Sequence, residues 1–175
     1  MKGYTSETIR NVALLGHGGC GKTTFLEAAL LATGVTNRMG RVEDGNTVSD
    51  YDKMEVERGY SINTSVVPIL WKENKINFID TPGYFDFVGE VNAALRAAEA
   101  AVIMVDAGSG IQVGTEAAWK ACERYKTPRF IVINKRDKDE FDFYKTFDEL
   151  KAKFGNKLIP FSWPLSAEID EELKE

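Results

Sequence analysis

Gly16-His17-Gly18-Gly19-Cys20-Gly21-Lys22-Thr23 fits the phosphate-binding pattern G-x-x-x-x-G-K-[ST], between an apolar run at 12–15 and a helix-forming run at 25–32. Strand, glycine loop and helix stand in the order a nucleotide site needs. Glycines let the backbone turn its N–H groups inward around an anion, and the helix N-terminus adds the positive end of its dipole. The expected phosphate cradle is Gly16, His17, Gly18, Gly19, Cys20, Gly21, Lys22, Thr23 and Thr24. Lys22 would reach the β- and γ-phosphates and support the chemistry there, and the Thr23 hydroxyl would bind the accompanying Mg²⁺. Lys22 is expected to be an exposed loop side chain with little packing to lose.

The pattern serves ATP and GTP alike, so a base reader must be sought downstream. Asn134-Lys135-Arg136-Asp137 follows the apolar run Phe130-Ile131-Val132-Ile133. That position is the carboxyl end of a buried strand, the edge at which open α/β sheets bind ligands. The Asp137 carboxylate can accept two hydrogen bonds from the N1 and N2 donors of guanine, and adenine has no matching pair. Asn134 either bonds the base or ties this loop to the phosphate loop, and the alkyl stem of Lys135 could cover the ring.

Between these motifs, Ile76-Asn77-Phe78-Ile79 ends in Asp80-Thr81-Pro82-Gly83, of the form D-x-x-G. Asp80 would hold Mg²⁺ through a water, and the N–H of Gly83 would bond the γ-phosphate, so that loss of this phosphate frees the segment behind it. A second D-x-x-G, Asp86 to Gly89, has no strand before it and falls in a helical stretch.

The spacing predicts a strand over 9–15, a helix over 22–32 and a long irregular connection over 34–59, a length that is commonly functional. A hairpin turning at 72–75 follows, with Pro68 placing its strand at or near an edge. Further along are expected a helix over 86–98, a strand over 101–105, a helix over 112–125, a strand over 130–133 and a helix over 141–154. Alternating strands and helices make an α/β fold, a mostly parallel sheet covered on both faces. Trp119 and the Phe-rich stretch 141–147 read as packing, and the acidic end, 168–175, as a solvated tail.

The stretch Asp80-Thr81-Pro82-Gly83-Tyr84-Phe85-Asp86-Phe87-Val88-Gly89-Glu90-Val91 resembles the second switch of translational GTPases, and Arg58-Gly59-Tyr60-Ser61-Ile62 resembles their first. With Asp106-Ala107-Gly108-Ser109-Gly110-Ile111-Gln112 and 134–137, the ordered set is similar to that of bacterial elongation factor G and its paralogues, over roughly 9–167. The resemblance implies a three-layer P-loop GTPase (G domain) fold, with GTP/GDP and Mg²⁺ as ligands and hydrolysis to GDP and phosphate. The ribosome would be a partner through the intact parent. It also implies that 1–175 is an N-terminal part of a longer factor. Ser166-Ala167 resembles the last guanine-contacting motif, but 158–168 looks more like the opening of the subdomain inserted in factor G. In that case the true motif, the last strand and the last helix would lie beyond 175.

Three positions depart from the family pattern. Gly19 stands where the phosphate loop usually carries Asp. Ser61 resembles the Mg²⁺-binding threonine of the first switch, with Thr64 as its rival. Tyr84 occupies the place where most relatives have a histidine that orients the attacking water, so it is the catalytic candidate beside Lys22. A ribosomal protection protein would share this domain. A GTP-gated binding module with little hydrolysis and a stand-alone ATPase are readings from other classes.

Composition sets further bounds. With 175 residues, 43% hydrophobic, the chain can bury one ordinary core. A net charge of −5 argues against a broad nucleic-acid footprint, so no direct sequence-specific nucleic-acid binding is expected. Cys20 and Cys122 are too few for a disulfide framework, which points to a reducing cytoplasm. His17 is the only histidine, which removes His-based triads and clustered zinc ligands. No apolar run approaches membrane-spanning length. A cytoplasmic monomer is expected.

Overall fold

The computed structural model describes residues 3–135, 137, 142–155 and 157–162. Five strands occur in chain order: β1 (Ile9–Gly16), β2 (Ser65–Trp71), β3 (Asn74–Asp80), β4 (Ala100–Asp106) and β5 (Arg129–Asn134). They form one sheet in the order β2-β3-β1-β4-β5. β3, β1, β4 and β5 are mutually parallel, while β2 returns antiparallel to β3 as a hairpin. Pro68 lies on β2, at the edge of the sheet, where a residue without an N–H costs no ladder bond on its outer side.

The helices are α1 (Lys22–Ala32), α2 (Lys53–Arg58), α3 (Val88–Ala97), α4 (Val113–Tyr125) and α5 (Phe143–Phe154). Because side chains alternate along a strand, β1 feeds two cores. Leu14 joins Leu26 and Leu30 of α1 with Val67 and Ile69 on one face. Ala13 and Leu15 join Leu95 of α3 with Ala118, Trp119 and Cys122 of α4 on the other. Each fully buried leucine here contributes roughly 1.5–3 kcal/mol of transfer free energy. This is the three-layer G domain arrangement, and it brings the ends of β1, β3 and β5 to one edge. Among the described residues no helix is long and apolar enough to cross a membrane.

Several expectations require correction. The connection over 34–59 is not wholly irregular, because it contains α2. Asp52 caps that helix by accepting from the Met54 N–H at 2.8 Å, Glu55 reaches back to the Asp52 N–H at 3.2 Å, and Gly59 closes it with φ 68°. Asp-x-x-Glu followed by Gly is a legible start and stop signal, and this helix was concealed only by its six-residue length. The helix expected over 86–98 begins as a 3₁₀ turn, Phe85–Phe87, and becomes α-helical at Val88. The last helix starts at Phe143 because Asp142 caps it, accepting from Lys145. Trp119 does pack, stacking on Phe154 at 4.3 Å, but Tyr144 in the Phe-rich stretch is 62% exposed. Arg136, Ser166, Ala167 and the acidic end lie outside the described residues.

Two buried carboxylates organise the chain between α1 and β2. Glu27 on α1 accepts from the N–H groups of Gly40, at 2.8 Å, and Val48, at 2.6 Å. Glu55 accepts from the N–H groups of Ile62 and Asn63, both at 2.9 Å. Each carboxylate is 1% exposed and satisfies amides that would otherwise be orphaned in an irregular segment. Glu55→Ala should therefore release residues 60–63. Hydrogen bonds to a charged group are worth about 1.5–3 kcal/mol, so the Ile62 and Asn63 amides should exchange roughly ten- to a hundredfold faster. The β4 amides of Ile103 and Met104 should be unchanged, and hydrogen-exchange NMR of both sets checks this.

Candidate functional site

Helix α1 begins without a cap. Gly21 precedes it with φ 96° and caps it with no side chain, and no acidic residue lies in its first turn. Such an end presents free N–H groups and a positive dipole to an anion. Lys22 is 6% exposed, which corrects the expectation of an exposed lysine. Its ammonium folds back into the loop, donating to the carbonyls of Gly16 at 3.3 Å and His17 at 3.1 Å. Those contacts hold the charge over the glycine loop. Thr24 points outward and is exposed. His17 packs against α4, where a Cβ on Gly114 would stand 2.6 Å from its Cα, and His17 Nδ1 is buried without a partner. Cys20 is buried beneath the loop, and burial pushes its thiol pKa up.

β3 delivers Asp80 to the same edge. Its Oδ2 accepts from the Thr23 hydroxyl and from the Ser49 hydroxyl, each at 2.9 Å. Ser61 Oγ stands 3.5 Å from Thr23 Oγ1, so the first-switch serine, not Thr64, faces the phosphate-loop threonine. The Thr64 N–H is held instead by Glu90 of α3, at 2.9 Å. Asp50 is 5% exposed, and burial raises its pKa against the opposing effect of nearby Ser61. Burial, opposed by Lys22, Thr23 and Ser49, lifts the Asp80 carboxyl to about 6. Asp80 Oδ1 and Asp50 Oδ2 are buried without a hydrogen-bond partner.

This donor set suits a hard divalent cation. The groups around Thr23 are all oxygens, hydroxyl and carboxylate, and two carboxylate oxygens there lack partners. Among the described residues no cluster of three or more His, Cys, Asp or Glu forms a self-sufficient metal cage. Mg²⁺ matches that arrangement, because it keeps waters and phosphate oxygens and takes few protein ligands. Thr23 and Ser61 would be its direct ligands, with Asp80 acting through a water. Ser49 and Asp50 were missed by sequence reasoning, since nothing in their local pattern says that Ser49, 31 positions before Asp80, will bond it and bring Asp50 beside it.

Gly83 closes the site from the β3 side. A Cβ there would lie 2.6 Å from both the Gly18 N and the Lys22 Nζ, so only glycine admits this approach of the D-x-x-G segment to the phosphate loop. Tyr84 follows, 44% exposed, with its ring over Gly18, where an added Cβ would stand 2.9 Å from Tyr84 Cζ. The rival motif, Asp86 to Gly89, lies at the start of α3 with Asp86 exposed, away from any strand end.

The end of β5 completes the edge. Asn134 Nδ2 donates to the Cys20 carbonyl at 3.0 Å, so of its two expected roles it takes the tie between loops. A Cβ on Gly21 would collide with this amide. Lys135 adopts φ 65° and its ammonium pairs with Asp106 at 2.6 Å. Asp106, at the end of β4, thereby fixes Lys135, and the pairing holds its carboxyl below the usual range against the desolvation that opposes it. Asp137 is exposed.

The family model described as "Elongation factor Tu GTP binding domain" matches residues 7–172. The chain is 44% identical over 162 residues to elongation factor G of Granulibacter bethesdensis, covering 93% of this chain and 23% of that protein. It is 41% identical over 160 residues to elongation factor G of Gluconobacter oxydans, covering 91% and 23%. A crystal structure of a protein from Thermus thermophilus superposes with a TM-score of 0.87 at 44% identity, over 91% of this chain and 24% of that one. The chain thus spans about a quarter of the length of the relatives it matches.

The contact between Ser61 and Thr23 yields a test of the cation site. Ser61→Ala should weaken the Mg²⁺ dependence of guanine-nucleotide binding by about tenfold, the scale of one lost polar ligand. Thr64→Ala should change it less than about twofold, since the Thr64 amide bond to Glu90 survives. Titrating Mg²⁺ against a fluorescent guanine nucleotide measures both.

Proposed function

The chain belongs to the elongation factor Tu GTP-binding domain family, and from that premise we propose that it is the G domain of an elongation factor G-like translational GTPase. It would bind GTP with Mg²⁺ and hydrolyse it to GDP and phosphate, coupling the reaction to ribosomal translocation or a related ribosomal step through a longer parent protein. The observation that carries this reading is the bond from Asn134 to the Cys20 carbonyl, which joins a guanine-reading loop to a phosphate cradle at one sheet edge. Among the described residues β5 is the last strand of the sheet, and an apolar groove of about 860 Å³ lies beside Phe130 and Phe143.

The residues divide the reaction among them. Asp137 would accept from guanine N1 and N2, while the Lys135 stem, held by Asp106, lies against the ring. Loop amides and the open end of α1 would bind the phosphates. Lys22 would offset charge developing on the β–γ bridge, and the Gly83 N–H would mark the γ-phosphate. When bound, Mg²⁺ would supply Lewis-acid neutralisation of the β- and γ-oxygens. Tyr84, beside Gly18, would orient the attacking water through its hydroxyl, because phosphoryl transfer depends chiefly on positioning and charge. A phenol cannot place a nitrogen where imidazole would. That substitution, with Gly19 in place of a carboxylate, favours a second reading: a module that holds GTP and cleaves it slowly.

Asp137→Asn tests the base assignment. Losing one charge-assisted contact to guanine should cost roughly 1.5–3 kcal/mol, a ten- to hundredfold loss of GTP affinity, with a gain for xanthosine triphosphate. Unchanged GTP affinity by calorimetry would remove Asp137 from the site. For the chemistry, unassisted turnover should stay below about once per minute, given roughly 10⁻⁴ to 10⁻³ per second for an unstimulated small GTPase. Tyr84→Phe should slow ribosome-stimulated hydrolysis by the parent and Tyr84→His should quicken it. Equal rates for Tyr and Phe in single-turnover assays would show that the hydroxyl has no part.

A further inference from the structure

Helix α5 supplies none of the residues assigned to the nucleotide, yet one of its side chains reaches the sheet edge where the base would sit. Thr146 is 2% exposed, and its hydroxyl donates to the Ala107 carbonyl at 3.1 Å. Ala107 is the first residue after β4, and its own N–H donates to the Asn134 carbonyl at 3.2 Å. A single residue thus stands between α5 and the loop at 134–137. Glu149, three positions after Thr146 and on the same helix face, lies against the same turn: a Cβ on Gly110 would stand 2.8 Å from Glu149 Oε2.

The turn seated in this way aims the Asp106 carboxylate. The Ser109 and Gly110 amides close onto the Asp106 carbonyl at 3.2 and 2.8 Å, and the Gly108 N–H donates to Asp106 Oδ1 at 3.0 Å. Oδ2 takes the Lys135 ammonium, at 2.6 Å. Lys135 needs such a restraint, since φ 65° is a left-handed conformation that a residue with a Cβ adopts only at a cost.

We propose that Thr146 is a positioning residue for guanine recognition, holding the 106–110 turn on α5 so that Asp106 keeps Lys135, and with it the loop at 134–137, in the base-reading form. This role rests on the guanine-reading assignment of 134–137. Without the hydroxyl, the buried Ala107 carbonyl loses its side-chain donor, and the turn gains by leaving α5 for water. Asp106 then turns away with it, and Lys135 relaxes out of its left-handed conformation. A loop that holds the competent form for only part of the time binds the base more weakly by that fraction. The phosphate loop is held by its own contacts, from Lys22 to the Gly16 and His17 carbonyls, so the loss falls on the base and spares the phosphates.

Thr146→Val keeps the branched shape and removes the donor, while Thr146→Ser keeps the donor. By calorimetry with Mg²⁺ present, Thr146→Val should bind GTP about fivefold more weakly and inorganic triphosphate within about twofold of the unaltered chain, with Thr146→Ser close to the unaltered chain for both. Asp106→Asn should show the same selective loss. Adding Thr146→Val to it should change GTP affinity by less than about twofold, which separates action through the acid from action along the chain joining 137 to α5. In the nucleotide-free chain, hydrogen-exchange NMR should find the Gly108 amide exchanging about tenfold faster in Thr146→Val, with Ile103 and Met104 unchanged. Thr146→Ala carries the same expectations if the valine variant does not fold. Unchanged GTP affinity, equal losses for GTP and triphosphate, or losses that multiply in the double variant would overturn the proposal. An unaltered chain that binds triphosphate but prefers GTP no more than ATP overturns the guanine reading instead, and the Gly108 amide still decides whether Thr146 holds the turn.

Discussion

A carboxylate at the end of a buried parallel strand is costly unless something compensates its charge, and the geometry of this domain converges on one such group. Asp80 is 2% exposed, and one of its oxygens receives two hydroxyls from different parts of the chain. Thr23 brings the start of α1, Ser49 brings the loop before α2, and the β3 backbone carries the carboxylate itself. Desolvating an ionised carboxylate costs several kcal/mol even after relaxation. Two neutral donors on one oxygen offset only part of that, which is why its pKa is lifted to about 6. The loop over 34–64 is therefore organised around an acidic centre, with Glu27 and Glu55 tying its amides and Asp50 adding a further acid.

The placement of the strings at 16–23, 80–83 and 134–137 at strand ends was legible because each is a local pattern that closes an apolar run. The sheet was legible for the same reason, since a buried parallel strand reads as a continuous apolar segment. What escaped was set by contacts between distant residues. Ser49 and Asp50 have no local signature, and their role appears only when the loop folds onto β3. Glu27 sits among apolar positions of α1 and looks like a solvated helix residue until its carboxylate is found on Gly40 and Val48. Lys22 was expected to be exposed because loops usually are, yet a loop that curls around its own lysine buries it. Helix α2 lay within reach of sequence reasoning through Asp52, Glu55 and Gly59, but six residues are too few for a periodic pattern.

Two opposite deficits of charge compensation lie side by side at this edge. The start of α1 is uncapped, and Lys22 has only backbone carbonyls for its ammonium, so this side is short of negative charge. Asp80 and Asp50 keep unpartnered oxygens a short distance away, so the other side is short of positive charge. Moving Lys22 against Asp80 would cancel both deficits, but the lysine is anchored in its own loop and acts on the carboxylate only at range. A polyphosphate with a divalent cation meets the two demands together: the anion goes to the amides and Lys22, the cation to the hydroxyls and carboxylates. Neither ligand alone does so. A phosphate without the cation would add negative charge beside Asp80, and a cation without phosphate would find too few protein oxygens to replace its waters. On the proposed reading, a need for both partners at once would follow from where the chain buries its charges, at the place where the segment carrying Ser61 and the segment carrying Gly83 meet over the phosphate loop.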